Sequence, residues 1–349
     1  MARCCTNCFS DTAVIEKIYS TAELNRCSFC GANRVQCVNP LVLRDKIEIF
    51  TYGLTESTEG KSFSDILANI YGIISPNVRN PNLLIDAIFN EPGFGEKKHI
   101  FDFELDGHNQ SWEEFKVELK HKNRFFPKNT IYSSIFKEAS QSTDSSVFFQ
   151  LLEQLKTPIY KEDKYYRARI SEEPLTRDKM GTPPHSIVSG GRANPIGIPY
   201  LYLAENIETC ISEVRPSNSS SIYVSEFSPD KDLYILDLTE PRKNCSMASF
   251  EENQLEPALN FLNLLELLSA DLSKPIRPEN SHLEYIPTQF LCEFIKSEAR
   301  LDGLSFNSSF ETGKNYVMFD SEAFTTGDPS RYIVTKTTHE TEPKMHPLQ

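Results

Sequence analysis

The chain has 349 residues, 39% of them hydrophobic, and a formal net charge of -13. That length favours two or three domains with ordinary packed cores, and the acidic balance opposes nucleic acid as a partner, since phosphate contacts need clustered Lys and Arg. No apolar run approaches the ~20 residues of a membrane helix and Met-Ala-Arg-Cys-Cys lacks the apolar core of a signal peptide, so the expectation is a cytoplasmic chain without a membrane partner.

Six of the nine cysteines lie within the first 37 residues. In a chain without a secretion signal, such crowding suggests metal rather than disulfides. Cys5 and Cys8 make one Cys-x2-Cys pair and Cys27 and Cys30 a second, the latter followed by Gly31. Each pair reads as a knuckle, a tight turn that aims two thiolates at one ion, and two knuckles complete a closed, structural Zn2+ site. Cys4 could take the place of Cys5, and Cys37 reads as a bystander. The alternative is a set of reduced, buried cysteines without metal. Residues 1–45 are therefore expected to be a zinc-binding module.

Residues 46–158 read as a helical domain, with apolar spacing of three and four over 62–71, 82–89, 111–120 and 145–155. His99, His108 and His121 are scattered and read as ordinary histidines, and Trp112 as core. Beyond Pro158 the pattern changes to short strands. Tyr165–Ile170 alternates as a strand, which places Arg167 and Arg169 on one face and the aromatics on the other. Two neighbouring arginines repel unless an anion lies between them, and a phosphate would serve; a solvated strand face is the plain alternative.

The stretch from Gly190 to Arg215 follows. Two glycines put Arg192 on backbone able to approach a ligand closely, and Pro195, Gly197 and Pro199 keep the chain extended or turning up to the apolar run 200–204, a buried strand. Asn206 can cap a short helix in which Ile207, Ile211 and Val214 share a face, leaving Glu213 one step off the buried stripe. Strands are expected at 221–227 and 233–238, an amphipathic helix at 254–271, a loop at 273–281, a helix from Pro287 to about 299, and strands at 304–307 and 315–319, the last closing the domain. The polar tail from Thr325 is expected to fray. No phosphate-binding glycine loop of the common nucleotide types is present. An Arg-x4-His spacing at Arg277–His282 reads as chance.

Tyr166-Arg167, Gly191-Arg192-Ala193-Asn194-Pro195, Tyr200–Ala204, Ser212-Glu213-Val214, Pro287-Thr288-Gln289, Ser308-Ser309 and Asn315-Tyr316, in this order and spacing, resemble the RES domain, named for its Arg, Glu and Ser, the toxin component of bacterial Xre-RES toxin–antitoxin pairs. The resemblance covers about 160–322, and the Cys-x2-Cys pairs with the helical segment resemble the HEPN/RES N-terminal extension of longer members. It implies an α+β fold, an ADP-ribosyltransferase-like mixed sheet with flanking helices, over 159–324, preceded by the zinc-knuckle module and the helical domain and followed by a flexible tail, 325–349. It also implies NAD as substrate, cleaved between nicotinamide and ribose with water or phosphate as acceptor. Carried over residue by residue, the catalytic set is Arg167, Arg192, Glu213 and Ser308 or Ser309, with Tyr166, Arg169, Asn194, Tyr202 and Asn315 binding substrate. Some members have a tyrosine after the first arginine; Ala168 stands there, and Tyr166 or Tyr202 could substitute. Expected partners are NAD, an antitoxin protein and a second copy of the chain. Two other readings stay open: an ADP-ribosyltransferase that modifies a macromolecule, and a non-catalytic zinc-containing binding protein.

Overall fold

The computed structural model describes residues 2–105, 107–136, 143–274, 276 and 281–337. Arg277, the side chain of His108 and the tail beyond residue 337 lie outside the described residues. In chain order the elements are β1 (Cys4–Cys5), α1 (Thr12–Tyr19), β2 (Glu23–Asn25), β3 (Val35–Val38), α2 (Arg44–Ile47), β4 (Leu54–Ser62), α3 (Phe63–Asp65), α4 (Pro81–Phe89), β5 (Lys98–Phe101), α5 (Gly107–His121) and α6 (Thr143–Gln154). Then come β6 (Lys156–Ile159), β7 (Tyr165–Ile170), β8 (Leu201–Ala204), α7 (Ile207–Glu213), β9 (Ser221–Pro229), β10 (Leu233–Asp237), α8 (Pro241–Asn244), α9 (Leu255–Ser273), α10 (Ser281–Glu284) and α11 (Ile286–Ser297). The last are β11 (Gly303–Asn307), β12 (Lys314–Met318), β13 (Phe324–Thr326) and β14 (Ser330–Ile333). Among the described residues, no helix is long and apolar enough to cross a membrane.

Contacts divide the chain into two compact units. The first gathers Met1–Lys156, Leu236–Asp271 and Ile286–Thr288, so most of the amphipathic helix α9 belongs with the N-terminal half of the sequence. Asp11 shows why. Its Oδ1 accepts the Val14 amide at 3.2 Å and caps α1, and its two oxygens also take the Ser246 hydroxyl at 2.7 Å and the Ala248 amide at 3.0 Å. A carboxylate buried this deeply is stable only when so satisfied, and the three bonds fix residues 246–248 against the first helix. Trp112 is fully buried and donates its indole N–H to Asp271 at 3.2 Å, beside the Lys116 ammonium at 3.1 Å. His99 is buried with Nδ1 3.0 Å from the Lys97 carbonyl, and His121 is exposed.

The region expected to be a helical domain, 46–158, also contains a strand pair. β4 and β5 run antiparallel, with a register shift between Glu56 and Lys61. The segment Leu54–Ser62 is mostly polar and lies on the surface, so no alternation of apolar residues announces it. Gly60 lies against the His99 backbone, where a Cβ would collide with the His99 carbonyl.

The second unit gathers Thr157–Ile235, Leu272–Tyr285 and Gln289–Gln349. Its sheet has the order β13-β9-β7-β8-β12-β11-β10-β6, with β14 also on β9. Tyr165, Leu201, Leu203, Tyr223, Phe227 and Met318 pack one face; Ala168, Ala204, Cys210, Ile222 and Val224 pack the other, which α7 covers. Where it is described, the segment expected to fray adds to the sheet instead: β13 pairs with Phe227–Pro229 and β14 with Ser221–Val224. In β7 Tyr165 shares the arginine face rather than opposing it, and only Tyr166 looks the other way. β7 pairs fully with β9 but meets β8 at one residue pair, Tyr166–Ala204. At that narrow join the Arg167 guanidinium donates to the Tyr202 carbonyl at 3.1 Å, a side chain standing where a ladder bond would be.

Candidate active site

The local sequence of α7 positions its carboxylate. The Asn206 side chain accepts the Thr209 amide at 2.8 Å and starts the helix as its composition predicts. The buried stripe is narrower than the apolar spacing suggests: Thr209 and Cys210 are buried, while Ile207, Ile211 and Val214 are half-buried against the same cluster. Thr209 goes inside because its hydroxyl finds the Thr312 carbonyl at 3.3 Å. Glu213, in the last turn, thereby turns toward β11 and β12. Its Oε1 accepts the Ser308 hydroxyl at 2.7 Å and the Asn315 amide at 2.6 Å. Its Oε2 lies 3.8 Å from the Arg192 guanidinium. Held at both oxygens, the carboxylate has a fixed direction.

Arg192 stands on a loop fastened by side chains from three places. Asn194 donates to the carbonyls of Ser189, Pro195 and Ile198, and its oxygen takes the Tyr202 hydroxyl at 2.8 Å. Tyr202 in turn accepts the Ala193 amide at 3.0 Å, and Gln289 donates to the Gly191 and Asn194 carbonyls at 2.8 and 3.0 Å. Gly191 is required: a Cβ there would overlap the Asn194 and Tyr202 side chains. Arg192 also donates to the Leu272 carbonyl at 3.1 Å.

These groups surround a cavity of about 510 Å³, the size of a small-molecule site, whose walls include Tyr166, Arg167, Arg192, Tyr202, Glu213 and Asn315. Ser308 reaches it through Glu213. A smaller hollow of about 190 Å³ shares Arg167, Gly190, Gly191 and Tyr202 with it. The other expected residues lie elsewhere. Ser309 is exposed; Arg169 donates to the Gly181 carbonyl; every polar atom of the Asn194 side chain holds the loop. Arg215, which the sequence reading passed over, lines the cavity at φ +48° with its guanidinium 4.3 Å from the Phe310 ring centre. A basic residue two positions after Glu213, just beyond the end of α7, was the available signal.

The two strand arginines differ from Arg192. Burial lowers the pKa of both, and for Arg167 burial together with the Arg169 charge brings it down from the ordinary guanidinium range to about 10. Both Nε atoms are buried without a hydrogen-bond partner, and among the described residues no carboxylate ion-pairs with Arg167. Such a cation is stable in place only at a cost, which an anion in the cavity would relieve.

In the first unit Cys5, Cys8, Cys27 and Cys30 bring their sulfurs within 4.8 Å of one another. Three separations are 3.9, 3.5 and 3.3 Å, close to the ~3.8 Å edge of a tetrahedron with metal–sulfur bonds of ~2.3 Å. The second knuckle has its amides in place, Phe29 and Cys30 donating to the Cys27 sulfur at 3.4 and 3.5 Å. Burial raises the Cys27 thiol pKa, yet those bonds outweigh it and bring the value to about 7. The donor set fits a metal ion. Cys4 points instead to the Val38 carbonyl, and Cys37 is buried opposite Cys5 in the β1–β3 ladder.

A search of curated proteins finds no match to the sequence. Among solved structures the chain is similar to the M. tuberculosis MbcT-MbcA toxin–antitoxin complex, at 13% identity and a TM-score of 0.30, over 54% of this chain and 94% of that one. The family model of the RES domain matches residues 164–335, a span that begins at the strand of Arg167, ends after β14, and contains the arginines, the glutamate and the serine gathered above. Residues 164–335 are accordingly a RES domain.

Proposed function

We propose that the chain is a toxin-like enzyme that degrades NAD by breaking the bond between nicotinamide and ribose. The observation that carries this reading is the carboxylate of Glu213, fixed by Ser308 and Asn315 on the wall of a cavity that also holds a guanidinium, Arg167, with no acidic partner among the described residues. When that bond breaks, its electron pair leaves with the nicotinamide nitrogen, which becomes neutral and needs no acid. Positive charge then grows on the ribose C1′ and ring oxygen, and a carboxylate held at the ribose stabilises it. Water attacking C1′ loses a proton and gives ADP-ribose; phosphate as acceptor gives ADP-ribose phosphorylated at C1′.

In this assignment Arg167 meets a phosphate of the dinucleotide or the acceptor phosphate, Arg192 and Ser308 keep Glu213 oriented, and Tyr166 and Tyr202 line the ribose and base path. The cysteine module, 1–45, holds Zn2+ as a closed structural site and takes no part in chemistry. An enzyme that drains NAD has to be restrained, and an antitoxin covering this cavity is the partner that the RES resemblance implies.

Purified zinc-loaded protein is incubated with NAD, with and without phosphate, and nicotinamide and the ADP-ribose products are followed by mass spectrometry. Nicotinamide release that requires Glu213 supports the reading, and the mass of the second product names the acceptor. Folded protein that releases none under either condition refutes it. ADP-ribose appearing on a macromolecule redirects it to a transferase.

A further inference from the structure

The first unit carries a feature unrelated to the cavity. After α5 the chain reads Lys120-His121-Lys122-Asn123-Arg124-Phe125-Phe126-Pro127-Lys128, four Lys or Arg and no acid, in a protein of net charge -13. Phe125 and Phe126 are 82% and 78% exposed. Two adjacent phenyl rings so open to water are unfavourable in isolation, and a slack loop would fold them in.

This loop is not slack. The Glu118 carboxylate accepts the Lys128 amide at 2.7 Å and the Asn129 amide at 3.0 Å. The Arg124 Nε donates to the Leu119 carbonyl at 3.3 Å, closing the helix end. Asn123 donates to the Phe126 carbonyl, and Pro127 is buried behind the tip. These ties hold the two rings outward with the exposed side chains of Lys122, Arg124 and Lys128 around them.

We propose that this loop is a docking tip for an anionic phospholipid surface, with Phe125 and Phe126 entering the headgroup boundary and the basic residues meeting the lipid phosphates. An apolar point with a cationic collar is the combination that interfacial binding uses. A single-stranded nucleic acid would need a groove to follow its backbone and a run of stacking platforms, whereas the rings here sit at a projecting tip. A long polyanion would also meet the net charge of -13 of the whole chain, while a bilayer touched only at the tip is screened from the rest beyond a Debye length of about 10 Å.

The full-length zinc-loaded chain is sedimented with vesicles of phosphatidylcholine, with and without phosphatidylglycerol, at low and high salt. Partition onto the phosphatidylglycerol vesicles alone, lost at high salt, is expected, as is a loss of roughly ten-fold or more in Phe125→Ser/Phe126→Ser and a similar loss in Lys122→Gln/Lys128→Gln. All four side chains are exposed, so thermal midpoints should stay unchanged, and activity on NAD should be unaffected. Absence of partition, equal partition onto neutral vesicles, partition indifferent to both double variants, or tighter binding of an oligonucleotide at the same salt would overturn the proposal.

Discussion

Arg167→Met is expected to make the protein more stable and to abolish its action on NAD. The drop of the Arg167 pKa from the ordinary guanidinium value to about 10 corresponds to roughly 3 kcal/mol against the buried charge. Two effects reduce the gain. Part of the side chain faces the open cavity, and the bond to the Tyr202 carbonyl, worth about 1 kcal/mol, is lost. A net stabilisation of roughly 1–2 kcal/mol remains, a rise of about 2–4 °C in the thermal midpoint of protein without NAD. The sign with pH follows from the same shift. Below about 10 the guanidinium is charged in both folded and unfolded chains, so the cost is constant there. Above about 10, and up to the ordinary guanidinium value, the unfolded chain holds one more proton, so this group's contribution to stability rises with pH, and the gap between wild type and Arg167→Met closes. Differential scanning fluorimetry across pH, beside an NAD-consumption assay, reads both effects. A midpoint that falls in Arg167→Met, or turnover that survives it, refutes the argument that the cavity holds an uncompensated cation for an anion.

Other consequences are checked with the same protein. Glu213→Gln should lower NAD turnover by roughly two to three orders of magnitude, from the loss of ~3–4 kcal/mol of charge stabilisation in the transition state, with little change in melting; single-turnover kinetics measures it. Ser308→Ala should reduce turnover by roughly ten-fold or more by removing one of the two hydrogen bonds that hold Glu213 Oε1, while Ser309→Ala, at an exposed position, should leave it unchanged. Cys30→Ser should weaken zinc binding, read as zinc per chain by mass spectrometry under native conditions, and lower the melting of the first unit; zinc uptake equal to that of the wild type would show that the four-cysteine set is wrong.

What the sequence makes legible here are features with local causes. The alternation of Tyr165–Ile170, the Asn206 cap, Pro287 in the first turn of α11 and the paired cysteine spacings each carry their signal within a few residues, and the corresponding elements lie where that signal puts them. The elements that escape have their cause elsewhere in the chain. Leu54–Ser62 is a strand because β5 pairs with it, not because its own polar sequence alternates. Composition alone makes residues 325–333 a polar tail, yet β9 offers a free edge and the segment adds to it. Thr209 is buried because of a carbonyl more than 100 residues away.

The site follows the same division. Residue types and order point to two arginines, a glutamate and a serine, yet one-dimensional reading gives Arg167 and Arg192 the same role, since both are basic residues near a proposed phosphate. Surroundings separate them. Arg192 already has the Leu272 carbonyl and the Glu213 carboxylate as neighbours, so an incoming anion would compete with a partner in place. Arg167 has one carbonyl, a like charge beside it and an unpaired Nε, so an anion would meet an unsatisfied cation in a low-dielectric wall, where each charge-assisted bond is strongest. The prediction is therefore asymmetric. Arg167→Lys, which keeps a charge but loses the planar fork, should raise the KM for NAD more than it lowers kcat, whereas Arg192→Lys, which disturbs the orientation of Glu213, should lower kcat more than it raises KM. Equal effects of the two substitutions on both constants would place the arginines in one shared role and remove the distinction drawn from their neighbours.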